Sequence, residues 1–345
     1  MSEQQPATPS PIRRAEGRRS LLNPLRRLGE RLTYLAYLAL MKVVGALPPR
    51  PVEALFSALA PIAYLAWPAK RRIADSNAAV VLGVADEEGR PLPGSERLVR
   101  ARALATYRTY GRYIAELLRL PSRSAAAIAA EVDLTDTKLL EDLRARGQAA
   151  IFAGFHAGNN ELGAASLGER RYDVNVVGDD SAFPEMYALL RRLRAKWGIA
   201  MIDWRAIREV FTVMKRGGIL VLLSDWGWKP DGTPCTLFGR WTTLPSGPAV
   251  IAARGNAPIV PFFVRREAPG RFRILFGTPI DAGDGSPAAQ VRATQRTADE
   301  LERLMRTDPT QWNCFKPLWP NATEQRRLEA LAAAMLLQHQ GGTSS

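Results

Sequence analysis

The chain has 345 residues, room for about two units at a prior of roughly 150 residues each, or for one large domain with an appended anchor. Apolar residues at 46% and charged residues at 23% exclude a wholly disordered, collagen-like or polytopic membrane protein. Cys235 and Cys314 are the only cysteines and His156 and His339 the only histidines, so neither a disulfide framework nor a metal site is expected. The net charge of +13 suits an acidic partner such as lipid phosphate, nucleic acid or an acidic carrier protein.

Residues 1–20, rich in Pro, Ser and Arg, read as a disordered basic tail. Arg13, Arg14, Arg18, Arg19, Arg26, Arg27 and Arg31 precede an apolar stretch from Leu32 to Leu47. As a helix this stretch would be about 24 Å long, short of a hydrocarbon core of about 30 Å, and it contains Lys42. It is expected to span marginally or to lie in the interface, with the arginines on the cytoplasmic side and Tyr34 and Tyr37 at headgroup level. A second apolar stretch, Val52 to Trp67, is closed by Lys70, Arg71 and Arg72, and Pro61 is expected to kink it. The alternative is a pair of buried core helices behind a solvated tail. A cleaved signal peptide is set aside, because Leu47-Pro48-Pro49-Arg50 has no small-residue cleavage pattern.

From Glu96 to Leu120 apolar residues recur at three- and four-residue spacings, and Pro121 ends the helix they predict. Beyond it, strands are expected at Ala149 to Phe155, Val174 to Val177, Ile219 to Leu223, Ile259 to Val264 and Phe272 to Phe276. Helices are expected at Pro184 to Lys196, Ala206 to Lys215 and Pro245 to Arg254. The alternation argues for an α/β fold: a central, mostly parallel sheet covered by helices, with N-terminal membrane-associated helices. The expected organisation is a tail at 1–20, a helical anchor region at 21–121, an α/β body at 122–338 and a second tail at 339–345.

The most informative run is Ala149-Ala150-Ile151-Phe152-Ala153-Gly154-Phe155-His156-Ala157-Gly158-Asn159-Asn160-Glu161. A buried strand ends in a histidine, two small residues follow, and a helix begins near Asn160 with a carboxylate in its first turn. Strand carboxyl ends line the crevice of an open α/β sheet, so His156 is where chemistry is expected. Histidine with a nearby acid supplies a base that titrates near neutrality together with an orienting acceptor. The bland alternative is a strand-capping histidine bonded to backbone.

H-x-x-x-x-E at a strand end resembles the H-x4-D/E signature of glycerolipid and lipid A acyltransferases. Phe183-Pro184 followed by Arg191, Arg192, Arg194, Lys196 and Gly198 resembles the N-P…R…G segment of the lipid A late acyltransferases, with Phe183 in place of their usual Asn. Met214-Lys215-Arg216-Gly217-Gly218-Ile219 and Leu222-Leu223-Ser224-Asp225 are similar to that family's L-K-x-G-…-D strand. Phe238-Gly239-Arg240, Leu244 to Ala249 and Ala257 to Pro261 resemble its F-G-x…P-x-G-x-A…G-A-P block, and Arg71-Arg72 with Asn77 its R…N pair.

The resemblance implies transfer of an acyl group from an acyl carrier protein or coenzyme A thioester to a hydroxyl of a membrane glycolipid, foremost a lipid A precursor. The setting it implies is the cytoplasmic face of an inner membrane, with no cofactor and no nucleic-acid partner. His156 is then the general base and Glu161 the motif acid that orients or stabilises the imidazolium. Some related enzymes carry an acid after F-G, where this chain has Arg240, which leaves Asp225 as the spare partner for the histidine. The candidate substrate-binding residues are Asn159, Arg194, Lys196, Arg205, Asp225 and Arg240. Arginines suit phosphates because the guanidinium is a bidentate fork. Rival acceptors are a lysophospholipid, an ornithine lipid or a phosphoinositol-mannoside-like glycolipid. The rival class is a non-catalytic basic protein bound to nucleic acid or membrane. Trp204, Trp226, Trp228 and Trp241 are candidates to line an acyl tunnel or rest on a membrane, with ordinary packing as the alternative.

Overall fold

A run such as Ala150–Gly158, apolar at nearly every position, is satisfied only inside a sheet covered on both faces, and that is where it lies. The computed structural model describes residues 24–134, 137–178 and 184–338. Both expected tails, the arginines from Arg13 to Arg19 and Phe183 lie outside the described residues.

Helices α1 (Pro24–Ala46), α2 (Pro49–Ala66), α3 (Pro68–Val81), α4 (Glu96–Arg119) and α5 (Ala125–Ala129) lead into strand β1 (Val132–Asp133) and helix α6 (Lys138–Ala145). Strands and helices then alternate: β2 (Ala150–Gly158), α7 (Asn160–Glu169), β3 (Val174–Gly178), α8 (Pro184–Lys196), β4 (Ile199–Asp203), α9 (Ile207–Lys215) and β5 (Ile219–Leu223). A hairpin, β6 (Thr233–Leu237) and β7 (Arg240–Leu244), precedes α10 (Gly247–Gly255), β8 (Ile259–Ala268), β9 (Arg271–Phe276), α11 (Pro287–Arg306) and α12 (Ala322–Leu337).

Among the described residues, seven strands form one sheet in the order β1-β9-β8-β2-β5-β3-β4, parallel at every pairing except β8 with β9. Alternation along β2 divides the core. Phe152 packs with Leu162 and Ala165 of α7 on one face, while Ile151 and Ala153 pack with Val210 of α9 and Ala249 of α10 on the other. Neighbouring strands β2 and β5 therefore send their connections over opposite faces, and a crevice opens between them at their carboxyl ends.

The hairpin β6–β7 has no counterpart among the expected strands. Its turn is Phe238-Gly239, with φ of +50° and +73°, the backbone of a two-residue turn whose twist matches the strands. Phe238 holds this costly conformation while stacked on Trp312 with ring centroids 5.7 Å apart.

The N-terminal helices depart from expectation in one respect. Helix α2 runs unbroken through Pro61, and the chain bends instead by 105° between α2 and α3. Trp67, the residue before Pro68, is held out of the helical region at φ −120° and ψ 82°, because a proline ring crowds a helical residue in front of it. Helix α2 also wears its pattern inside out: Glu53, Ser57 and Tyr64 are buried, whereas Leu55, Leu59, Ile62 and Leu65 are exposed. Leu28, Leu32, Leu35 and Val43 make a similar exposed stripe on α1, so the pair does not form buried core helices. Among the described residues no single helix is long and apolar enough to cross a membrane; α2 and α3 pass that test only together. The inner face of α2 lies tight on α4 at Gly111, where a Cβ would come 2.4 Å from the carbonyl oxygen of Phe56.

Candidate active site

His156 sits within strand β2, two residues short of the strand's end. In the parallel pairing of β2 with β8, Gly154 faces Phe262 and Gly158 faces Val264, so β2 spends more residues than its partner over the same length and bulges. The backbone groups released by the bulge are taken by a segment from late in the chain. Ala157 forms a bridge with Trp312, and the N–H of Asn313 donates to the carbonyl of His156 at 2.8 Å. Gly158 closes the bulge at φ +58°, and a Cβ there would lie 1.7 Å from the Val264 carbonyl oxygen, so no other residue fits.

Asp225, just beyond the end of β5, is carried to the same place by the parallel pairing of β5 with β2. Its Oδ1 lies 2.6 Å from His156 Nδ1, and its two oxygens accept from the His156 backbone N–H at 3.0 and 2.9 Å. The indole N–H of Trp312 donates to Oδ2 at 2.8 Å. Facing a buried carboxylate, Nδ1 carries the proton and Nε2 is left with its lone pair. The Asp225 side chain is 1% exposed and that of His156 40%, so the acid is sealed while the base is open. Burial pulls the imidazole pKa down, but the hydrogen bond and charge of Asp225 outweigh it and leave His156 above the ordinary 6.5; Lys316 opposes them weakly.

Glu161 is not the acid that holds the histidine. It lies in the first turn of α7, beyond the capping Asn159, and forms a two-pronged ion pair with Arg194 of α8: Nε donates to Oε2 at 3.0 Å and Nη2 to Oε1. Nη1 of Arg194 meets the Met201 sulfur at 3.1 Å, so the fork expected to clamp a phosphate is already engaged. Both residues nevertheless line the cavity in front of His156.

Four other candidates lie away from that cavity. Asn159 is fully buried: its side-chain oxygen accepts from Leu162 N–H as the cap of α7, and its amide donates to Glu116 at 2.8 Å. Glu116 in turn pairs with buried Arg266 at 2.7 and 2.6 Å, which ties α4 to β8. Arg240 spends its guanidinium on the carbonyls of Asp86 and Glu87. Lys196 donates to the Pro121 carbonyl at 3.2 Å, and Arg205 lies 5.0 Å from the Trp204 ring.

The cavity encloses about 380 Å³. Besides His156, Asp225, Glu161 and Arg194, its walls include Tyr110 and Tyr113 of α4, Lys70 of α3, Trp226, and Phe315 and Lys316. Of the four tryptophans considered from sequence, Trp226 is the one that lines it. Cys314 also borders it, but burial pushes that thiol far above the ordinary range, which makes it a poor nucleophile. No group of three or more metal-ligating side chains occurs among the described residues. Sequence reasoning passed over Trp312, Phe315 and Lys316. The one signal available for them was the density of aromatic and polar residues in Trp312-Asn313-Cys314-Phe315-Lys316, which names no role.

A histidine backed by a sealed carboxylate at the carboxyl edge of a parallel sheet has the arrangement that general-base chemistry requires, and the comparisons give the class of reaction as acyl transfer. Residues 23–321 match the model of the bacterial lipid A biosynthesis acyltransferases, and the chain belongs to that family. It is similar to the phosphatidylinositol mannoside acyltransferase of Mycolicibacterium smegmatis (strain ATCC 700084 / mc(2)155), 25% identical over 306 residues that cover 87% of this chain and 96% of that protein. It is also 26% identical over 234 residues to the phosphatidylinositol mannoside acyltransferase of Mycobacterium tuberculosis (strain ATCC 25618 / H37Rv), covering 65% of this chain and 72% of that protein. The chain is an acyltransferase, whose substrates are an acyl donor and a lipid acceptor. The reading as a non-catalytic basic protein falls with this result.

Proposed function

We propose that this enzyme moves a fatty acyl chain from a carrier-protein or coenzyme A thioester to a hydroxyl of a phosphorylated membrane glycolipid, with His156 as general base. The observation that carries the reading is the 2.6 Å contact between His156 Nδ1 and Asp225 Oδ1, two residues that line the cavity, which leaves Nε2 as the ring nitrogen available to accept a proton. Nε2 takes the proton of the acceptor hydroxyl as its oxygen attacks the thioester carbonyl carbon. The tetrahedral intermediate collapses, the C–S bond breaks, and the departing thiolate recovers the proton from the imidazolium. Asp225 holds the productive tautomer and stabilises the imidazolium. The Glu161–Arg194 pair acts as a fixed wall that shapes the cavity, and Cys314 forms no acyl intermediate.

Between acceptors, the similarity to two phosphatidylinositol mannoside acyltransferases favours a phosphoinositol-linked sugar lipid, while the family's own description favours a lipid A precursor. The exposed leucine stripes of α1 and α2 support docking of the enzyme in the membrane interface, on the cytoplasmic leaflet where acyl thioesters are found. Mass spectrometry of products tests the proposal. Detergent-extracted enzyme and His156→Ala are offered each thioester with phosphatidylinositol mannosides, tetra-acylated lipid A precursor and lysophospholipids. One added acyl group on a sugar lipid, absent with the variant, is the expected result; acylation that persists in His156→Ala overturns it.

A further inference from the structure

The cations that remain uncommitted at the cavity are not the arginines that the sequence singles out. Arg194 is paired with Glu161, and Asp225 is occupied by His156 and Trp312. Lys70 and Lys316 line the same cavity, and among the described residues neither forms an ion pair. Two ammonium groups without a carboxylate partner, in a recess beside a catalytic base, are an electrostatic vacancy for an anion.

Both lysines are held in position. The side-chain amide of Asn77 donates to the carbonyls of Cys314 and Lys316 at 3.1 and 3.0 Å, clamping the backbone on either side of Phe315. Asn313 N–H bonds the His156 carbonyl, so the segment carrying Lys316 is fastened to the strand carrying the base. Lys70 donates to the Phe315 carbonyl at 3.2 Å, which uses one of its three protons. The Lys316 ammonium sits 3.2 Å from the centroid of Trp226, the ring that also packs against His156 at 5.8 Å. Desolvation first, then repulsion from Lys70 and Lys229, hold Lys316 below the ordinary lysine range, a strain that an anion would relieve.

Resting on the acyl-transfer reading of the His156 site, we infer that Lys70 and Lys316 form a phosphate-binding pair that fixes a phosphate ester of one substrate beside the base. Two sources carry such a group: the headgroup of the lipid acceptor and the phosphopantetheine of the acyl donor. Position favours the headgroup. Lys70 lies in the first turn of α3, directly after the bend at exposed Trp67, and its ammonium is 5.9 Å from that ring. It therefore stands where the leucine-faced helix α2 gives way to the catalytic body.

Histidine side-chain NMR on the full chain in detergent tests the pair without turnover, because His156 and His339 are the only two imidazoles. The probes are sn-glycerol 3-phosphate, for the headgroup, and coenzyme A, for the donor. One probe is expected to shift the His156 signal saturably. Lys70→Gln and Lys316→Gln should each weaken that probe at least tenfold, while Lys316→Arg and the exposed-site control Lys215→Gln, away from the cavity, should bind like the wild type. Lysine dependence of glycerol phosphate assigns the headgroup, and that of coenzyme A the donor. Unchanged affinity for both probes in both glutamine variants overturns the pair, as does an equal loss in Lys215→Gln or the failure of both probes to shift His156. Calorimetry on His156→Ala separates the two readings: binding retained with turnover lost upholds both, and binding retained with turnover intact sinks only the acyl-transfer mechanism.

Discussion

Asp225 grips His156 twice, once at the ring nitrogen and once at the backbone N–H, so a single buried carboxylate sets both the tautomer of the imidazole and the shape of the strand that carries it. Asp225→Asn preserves the volume but removes the charge and offers an N–H where Nδ1 needs an acceptor. Turnover should fall by about 10³-fold or more. A variant that retains most of its kcat would remove Asp225 from the mechanism.

The pH dependence follows from the raised pKa of His156. In the proposed role His156 accepts a proton only when neutral, so kcat/KM should rise with pH along a limb centred above 6.5. Asp225→Asn should move that limb to lower pH. Stability runs the other way. A folded-state pKa above the unfolded value gives a contribution fully present below about 6.5 and lost as pH rises through the folded pKa. Denaturant titrations of wild type and His156→Gln across this window should converge as the pH rises.

Glu161→Gln should leave the position of that limb unchanged, since Glu161 bonds Arg194 and not the imidazole. Its effect should be a loss of kcat/KM from a distorted cavity wall, with the histidine NMR titration unmoved. A shift of the His156 titration comparable with that of Asp225→Asn would restore Glu161 as the histidine's acid.

Glu116→Ala should destabilise the fold by roughly 3–5 kcal/mol, because it strands the buried Arg266 guanidinium and also removes the acceptor of Asn159. Equilibrium denaturation measures this directly, and a loss under about 1 kcal/mol would mean that water or another acid takes over the arginine.

Leu59→Asp and Ile62→Asp alter side chains that are 50% and 58% exposed, so folding and thermal stability should be close to wild type. Sedimentation with anionic vesicles should drop severalfold. Retention of full vesicle binding in the double variant would disconnect the stripe of α2 from the membrane.

Much of the sheet was legible because its signals are local. Ile219–Leu223 is an uninterrupted branched apolar run, and Pro184–Lys196 begins on a proline at its first turn; both occur over the expected residues. What escaped depends on distance in the chain. The spacing from His156 to Glu161 suggests a partnership, yet the bulge turns the ring towards Asp225, 69 residues away, while helix α7 carries Glu161 off to Arg194. The hairpin was hidden because Phe238 occupies a left-handed position that its ring type disfavours, and only its stacking on Trp312 makes the turn tolerable. The bend between α2 and α3 was misplaced to Pro61 because a proline inside a helix and a proline opening the next one look alike in sequence.

The bulge at His156 is completed by residues 312 and 313, and the chain is made from its N-terminus. A ribosome therefore releases the leucine-faced helices α1 and α2 well before the pieces that mould the pocket around His156. Until Trp312 emerges, Asp225 lacks its indole donor and His156 its neighbouring strand segment. A chain cut between α4 and residue 312 keeps the leucine-faced stripes of α1 and α2 but lacks Trp312 and Asn313, the segment that completes the bulge at His156.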